Sequence, residues 1–525
     1  MGAPAVVSER ASPLARHRWW GSVYHRPVMR RLGITACASL LVLAACTSDG
    51  AQEDANATPS PELGAPMELE VFVYNVEYGG DETTDAVIEA IDADIVGVLE
   101  SYNRIDETAE RTGYPYFNTS LQILSKHPIH EPSGADGRYA FIEVRPGEVV
   151  AFFNIHLDYV RYGPRLLRSG VPLEEVLASE DEVRTSSLDV PLRMMQELIA
   201  QGYPVFFTGD HNEPSHLDYG PETVGTREGI DEPVPWPVSM AITDIGFRDT
   251  YREIHPDPVA DPAISHFGVR DRIDFLYAAG PSETLDSNLI GEVGGEDVDE
   301  AFMPWTSDHR AFVSTFEVRP ISMPVMVSVD TALLDQGDPL TVGYRGTEED
   351  GSVAIVKEGG TPDAALLTEE TTGALGSLQA IDTSDFAAGA YDAVLLDGDG
   401  AELARVGFVV RDPRAEIEVS TDKPSYASGE PIVVSWENGP ANRWDWLGVY
   451  RADAADPKID NYLIWNYTGL HASGTDPPVV DGSVTFDDST MGIPWWPLEP
   501  GRYVVHYLVT DRYRSIGSAA FEVTG

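Results

Sequence analysis

Five short polar motifs follow one another along this 525-residue chain, and each reads as the end of a β-strand. They are Asn75-Val76-Glu77; Glu100, closing Asp94-Ile95-Val96-Gly97-Val98-Leu99; Asn154-Ile155-His156-Leu157-Asp158; Gly209-Asp210-His211-Asn212; and Ser307-Asp308-His309. The strands that would deliver them are legible. Met67 to Asn75 alternates apolar and polar residues at Leu69, Val71 and Val73, while Ile95 to Leu99 and Pro204 to Thr208 are short apolar runs. Tyr139 to Val144 and Val149 to Ile155 flank a hairpin-like turn, Arg145-Pro146-Gly147-Glu148. Thr84 to Asp92 puts Val87, Ile88 and Ile91 on one helical face, with Thr83 or Thr84 as its N-cap, and Leu192 to Ala200 reads as a further helix. Strands and helices interleaved over about 250 residues predict one large α/β domain ending near Val318.

The motifs share a chemistry. Carboxylates hold a hard cation, an aspartate can take a proton from water, and His and Asn can contact phosphoryl oxygens, which is the inventory of metal-assisted phosphoester cleavage. Hard oxygen donors favour Mg²⁺ or Mn²⁺ over a thiolate-rich zinc site, and the two cysteines, Cys37 and Cys46, both lie near the start. Singly each motif is weak: Gly-Asp-X-Asn occurs in ordinary turns, Ser-Asp-His suits a surface cap, and Asn75 could merely finish a strand. Their fixed order carries the weight.

That ordered set resembles the endonuclease/exonuclease/phosphatase superfamily, relatives of DNase I, abasic-site endonucleases, inositol-phosphate phosphatases and bacterial sphingomyelinases. The resemblance implies a DNase I-like α/β four-layer sandwich whose motifs converge at one edge. Carried over residue by residue, it makes Glu100 the main metal carboxylate, with Glu77 and Asn75 on metal and phosphate and Asp308 a ligand of the metal or of its surroundings. It makes Asp210 the group that deprotonates or orients the attacking water, Asn212 a holder of that water or the phosphate, and His309 the contact to the phosphoryl oxygens. Asp274, in Arg272-Ile273-Asp274-Phe275, would fix the His309 ring, and His156 would face the phosphate or leaving group. His211 departs from the family pattern, and a packing role is expected for its ring. The stretch Tyr159 to Ser187 reads as an inserted loop. There Arg161 and Arg165 either recruit phosphate or are solvated partners of Glu174, Glu175, Glu180 and Asp181. The run Glu213 to Tyr219 continues the fourth motif.

The ends of the chain look different. Met29-Arg30-Arg31, the apolar stretch Leu32 to Ala45 and Leu43-Ala44-Ala45-Cys46 read as a lipoprotein-type signal over 1–45, with lipidation at Cys46. Residues 46–66 read as a flexible tether, its twenty or so residues spanning roughly 25 Å. The expected organisation is then a catalytic domain over 67–319 and two all-β Ig-like sandwich domains over 320–413 and 414–525. The last two rest on a weak repeat: Val327-Ser328-Val329-Asp330 parallels Val419-Ser420-Thr421-Asp422, and Ala388 to Val410 parallels Pro500 to Val523. Six of the ten Trp lie between Trp436 and Trp496, where core filling is the default and Trp495-Trp496 the best candidate for exposure.

Net charge is −51, and −56 once the six Arg and one Glu of residues 1–45 are removed. Such a field repels nucleic acid and anionic lipid, so generic polyanion binding is excluded. The expectation is an exported, cell-surface or secreted phosphoester hydrolase that uses Mg²⁺ or Mn²⁺ and meets a membrane through its N-terminal lipid only. A phosphodiester is the first choice, nucleic acid included. The rivals are a phosphomonoesterase on sugar or inositol phosphates, a sphingomyelinase-like lipid hydrolase with Trp236 as an apolar wedge, and a silent surface-binding protein. Oligomeric state is not legible.

Overall fold

All five motifs reach one edge of a pair of stacked sheets. The structure, a computed structural model, describes residues 63–525 apart from 136, 228, 348–349, 443, 455, 459–460, 470–478, 489, 491–495 and 511. The first sheet runs Glu300–Phe302, Ser282–Glu292, Ala311–Val318, Met67–Asn75, Ile95–Leu99, Ile123–Ser125, Tyr116–Asn118. The second runs Ile129–His130, Ala140–Arg145, Glu148–His156, Val205–Asp210, Asp274–Ala279, Arg248–Asp249. At the heart of each, two parallel strands end side by side: Asn75 beside Leu99, and His156 beside Asp210.

The two-residue period of a strand decides what packs where. Leu69, Val71 and Val73 face the second sheet and meet Phe152, Phe206 and Leu276 between the layers. The alternate residues Phe72 and Tyr74 pack against Val87 and Ile88 of the helix Glu82–Ile91 and Ile105 and Ala109 of Ile105–Thr112. On the outer face of the second sheet, Ala151, Phe153, Phe207 and Tyr277 meet Met195 and Leu198 of Asp189–Ala200 and Val238 and Ile242 of Pro237–Asp244. Each large apolar side chain so buried contributes about 1.5–3 kcal/mol before chain entropy is set against it. One polar clasp crosses the inner layer. Asn154 Nδ2 donates to the carbonyls of Val98 (2.9 Å), Leu121 (3.1 Å) and Gln122 (3.2 Å), while its Oδ1 accepts from Thr208 Oγ1 (2.9 Å). A side chain at Gly97 would collide with that clasp, which is why a glycine interrupts an otherwise apolar strand.

Two expectations shift. The first helix is capped by Asp81 rather than by Thr83 or Thr84: its carboxylate accepts the N–H groups of both, and Thr84 Oγ1 accepts the Asp81 N–H in return. The last residues of the tether are docked: Gly64 N–H donates to Pro320 O (2.7 Å), and Arg145 holds the carbonyls of Ala65 and Pro66. Beyond residue 319, the pair Ile321–Ser322 still joins the second sheet, alongside Glu148 and Val149, and Met323 and Met326 enter its outer core.

Residues 326–411 and 418–524 then repeat one topology. Among the described residues each has eight strands, the first, third and sixth forming one sheet and the second, eighth, seventh, fourth and fifth the other. Val327, Val342, Tyr391 and Phe408 fill the first copy, and Trp436, Val449, Tyr503 and Phe521 the second. No helix among the described residues is long and apolar enough to cross a membrane. Cys46 and Trp495 lie outside the described residues.

Candidate active site

Asn75 sits at the centre, fully buried where the first strand ends. Its Nδ2 donates to Glu100 Oε1 (3.2 Å) and to Asp210 Oδ2 (3.1 Å), joining a carboxylate from the first sheet to one from the second. Its Oδ1 accepts the Glu77 N–H (3.1 Å), and Glu77 Oε2 accepts the Asp308 N–H (2.9 Å). Glu100 Oε2 accepts from the Tyr78 N–H (3.1 Å). Glu77, Tyr78, Glu100 and Asn212 all have φ between 48° and 56°. For side chains other than Asn this left-handed backbone is uncommon, and such positions gather at functional sites.

On the second sheet Asp210 is buried, its Oδ1 accepting the Asn212 N–H (2.9 Å). Its Oδ2 lies 3.5 Å from His156 Nε2 and 3.6 Å from His309 Nε2. Burial works against the charged carboxylate, but the two rings and the Asn212 N–H outweigh it, so Asp210 titrates below its usual range. Asn212 Nδ2 donates to Leu157 O (3.0 Å) and stands 3.1 Å from His156 Nε2. Asp274 pairs in register with Asp210 on the neighbouring strand and holds His309 Nδ1 at 2.8 Å. Burial opposes a charged His309 ring, but Asp274, then Asp210 and Asp308, raise it to about 10, so the ring is an imidazolium at neutral pH.

The strand carrying Asp274 is anchored from behind. Arg272, buried, reaches Asp218 (2.9 Å) and Asp249 (2.6 Å), and Arg252 reaches Asp218 (2.6 Å). This is the structural use of the run after Asn212. Gly209 is dictated by the same crowding, because a Cβ there would strike the Ile155 carbonyl oxygen.

Nine of the sequence-selected residues are therefore brought together: Asn75, Glu77, Glu100, His156, Asp210, Asn212, Asp274, Asp308 and His309. Arg161 and Arg165 are not seen in contact with them. Arg161 pairs with Glu182 (3.2 Å), and Arg165 is exposed on the short helix Gly163–Arg168. Arg184 is locked to Glu180 in full burial. Trp236 is buried completely and forms no apolar wedge. His211 stacks among Phe207, Phe275 and Tyr277 as a core ring.

Two further groups escaped sequence reading. Ser265 Oγ donates to Asp274 Oδ2 (2.7 Å) and accepts from the Ile273 and Asp274 N–H groups. The His266 ring packs on His309, centroids 4.4 Å apart. The only signal was Ser265-His266-Phe267-Gly268, a turn-like run shortly before Arg272-Ile273-Asp274.

The donor set suits a hard divalent cation. Glu77, Glu100 and Asp308 offer carboxylate oxygens, and the Glu77 carboxyl is pushed upward by burial and by the nearby Asp308 and Glu100 charges, a repulsion that a cation relieves. Two tighter groups have ligand atoms within 4.8 Å of one another, His266/Asp308/His309 and Asp210/Asp274/His309; neither contains Glu77 or Glu100. In both, the shared member is His309, whose Nδ1 is committed to Asp274.

No family model matches the chain. Over 240 residues it is 28% identical to a protein of Caenorhabditis elegans described as uncharacterized, covering 39% of this chain and 75% of that one. Solved structures to which it is similar include two described as endonuclease/exonuclease/phosphatase proteins. One is the protein of that name from Beutenbergia cavernae (TM-score 0.31, 14% identity, 65% of this chain and 99% of that one). Another is from Bacteroides thetaiotaomicron (TM-score 0.28, 15% identity, 49% and 96%). A third is TDP2 of D. rerio complexed with a single-strand DNA product (TM-score 0.29, 14% identity, 47% and 98%).

Proposed function

We propose that the chain is a divalent-metal-dependent phosphoester hydrolase of the endonuclease/exonuclease/phosphatase type, a four-layer α/β sandwich bearing two Ig-like sandwiches. The observation that carries this is the Asn75 amide bridging Glu100 and Asp210, which sets a cation-binding carboxylate and a proton acceptor side by side. Glu100, Glu77 and Asp308 would hold Mg²⁺ or Mn²⁺, with Asn75 fixing Glu100. The cation's part is Lewis acidity toward a phosphoryl oxygen. Asp210, ionised throughout the neutral range, accepts a proton from the attacking water, which Asn212 orients. It is a weak base, so placement does more here than proton affinity. His309, charged and held by Asp274, donates to the phosphoryl oxygen as negative charge builds. His156 faces the leaving group.

A phosphodiester is the preferred substrate, a phosphomonoester the alternative. Export and anchoring through Cys46 complete the reading. Asp210→Asn is the decisive variant. With Mg²⁺ or Mn²⁺, hydrolysis of an activated phosphodiester should fall about 10²–10⁴-fold while the melting temperature holds. Equal rates in variant and wild type would remove Asp210 from the chemistry. Faster turnover of the matching monoester would reverse the diester choice.

A further inference from the structure

The last sandwich touches the candidate site from two sides. Trp444, 8% exposed, lies edge-on to His156 with ring centroids 6.0 Å apart. Its indole N–H meets no acceptor among the described residues. Arg512 lies over the Tyr102 ring at 5.5 Å, and its Nη2 is 3.2 Å from where a Cβ on Gly79 would stand. Gly79 belongs to the turn after Glu77, and its N–H donates to the Glu100 carbonyl (2.7 Å). His156 ends a strand of the second sheet, whereas Glu77 and Glu100 directly follow strands of the first. One end of the sandwich therefore spans from one half of the site to the other.

The two loops that do this are a single piece. Asp445, fully buried, accepts the Thr510 N–H at Oδ1 (3.0 Å) and the Tyr507 hydroxyl at Oδ2 (3.1 Å). Trp446 Nε1 donates to the Arg512 carbonyl (3.1 Å). The bridge is fixed on its own domain before it reaches the site.

We propose that this end of the last sandwich is a wall of the substrate cleft, with Trp444 and Arg512 selecting the part of the substrate beyond the reacting phosphate. This rests on the phosphoesterase reading above. A wall in contact with both halves closes one end of the cleft, so the site takes a small or terminal phosphodiester and not the interior of a long polyanion. The rim is aromatic: Tyr78, 66% exposed, lies 6.1 Å from Tyr102, and Trp444 lies against His156 on the other half of the site. It also carries a guanidinium in a chain of net charge −51. Aromatic faces beside a cation fit a ring-bearing ester with a further anionic or hydrogen-bonding group.

The test uses the full chain with Mn²⁺, an aryl phosphodiester, and linear and circular forms of one single-stranded DNA. Wild type should cleave the aryl diester and the linear strand and leave the endless circle intact. Arg512→Ala, and Arg512→Ala with Trp444→Ala, should raise KM for the aryl diester about tenfold, equivalent to about 1.4 kcal/mol. Their kcat should change little, and the circle should become a substrate. Arg512 is exposed, so its variant carries the test if Trp444→Ala fails to fold. Unchanged constants in the Arg512 variant, or a wild type that cuts circle and linear strand alike, overturn the wall. A wild type that turns over none of the three but hydrolyses the matching aryl monoester overturns the diester choice, and the wall with it; one that turns over neither ester overturns the phosphoesterase reading itself.

Discussion

Two histidines at the site's edge show how surroundings set the state of one side chain. His309 is kept charged by Asp274, whereas His211, two strands' width of aromatic rings around it, is kept neutral. Its ring lies 5.0 Å from Phe207 and Phe275 and 5.7 Å from Tyr277, neither nitrogen has a hydrogen-bond partner among the described residues, and burial drives its titration down to about 3. An unfolded chain takes that proton near 6.5. The native state thus holds its full advantage above that pH and loses it as pH falls toward 3, by on the order of several kcal/mol. His211→Phe keeps the ring stack and removes the proton. Its acid-unfolding midpoint should lie below that of wild type, with little change in melting temperature at pH 8. Superimposable acid titrations would show that His211 contributes nothing to acid lability.

At the scale of elements, the parallel pair Glu148–His156 and Val205–Asp210 sets the distance between His156 and Asp210, and Gly209 permits its closeness. Gly209→Ala should push the strands apart, with a loss of stability of about 2–4 kcal/mol in denaturant unfolding and of most activity. A variant with wild-type stability would mean that the strands yield freely. Asn154→Ala should cost a similar amount by removing its bonds to the Val98, Leu121 and Gln122 carbonyls of the facing sheet. The same pair explains what a sequence can disclose. Strands such as Met67–Asn75 are legible because burial imposes a period of two, and the polar residues that end them stand out against apolar runs. Ser265 and His266 were not legible, because they lie on an irregular loop where no period operates and only the folded register brings them to Asp274. The Asp81 cap was missed because two threonines beside it offer the same chemistry. For Arg161 the sequence leaves phosphate and several carboxylates open as partners, because it does not reveal that Glu182 lies across from it.

Across the whole molecule, excess negative charge is the main global strain. Fifty-one uncompensated charges repel one another more in the compact state than in the unfolded one. Raising salt from about 0.01 M to about 1 M shortens the screening length from roughly 30 Å to roughly 3 Å. The melting temperature should therefore climb with NaCl, and a flat or falling trend would show that local ion pairs such as Arg272 with Asp218 and Asp249 dominate. The seam with the first sandwich carries a polar contact as well: His130 stands 3.0 Å from Glu143 on one side and 3.1 Å from Ser328 on the other. Within the α/β domain, the longest-ranged of the contacts described at the site are the bond from Ser307 Oγ to the Asn75 carbonyl, 232 residues away, and that from the Asp308 N–H to Glu77, 231 residues away. A ribosome must therefore have released His309 before the first motif meets its last partner. During synthesis, and during any passage of the unfolded chain between compartments, the protein holds every group of the candidate site and not the site itself, which first forms when the two sheets close.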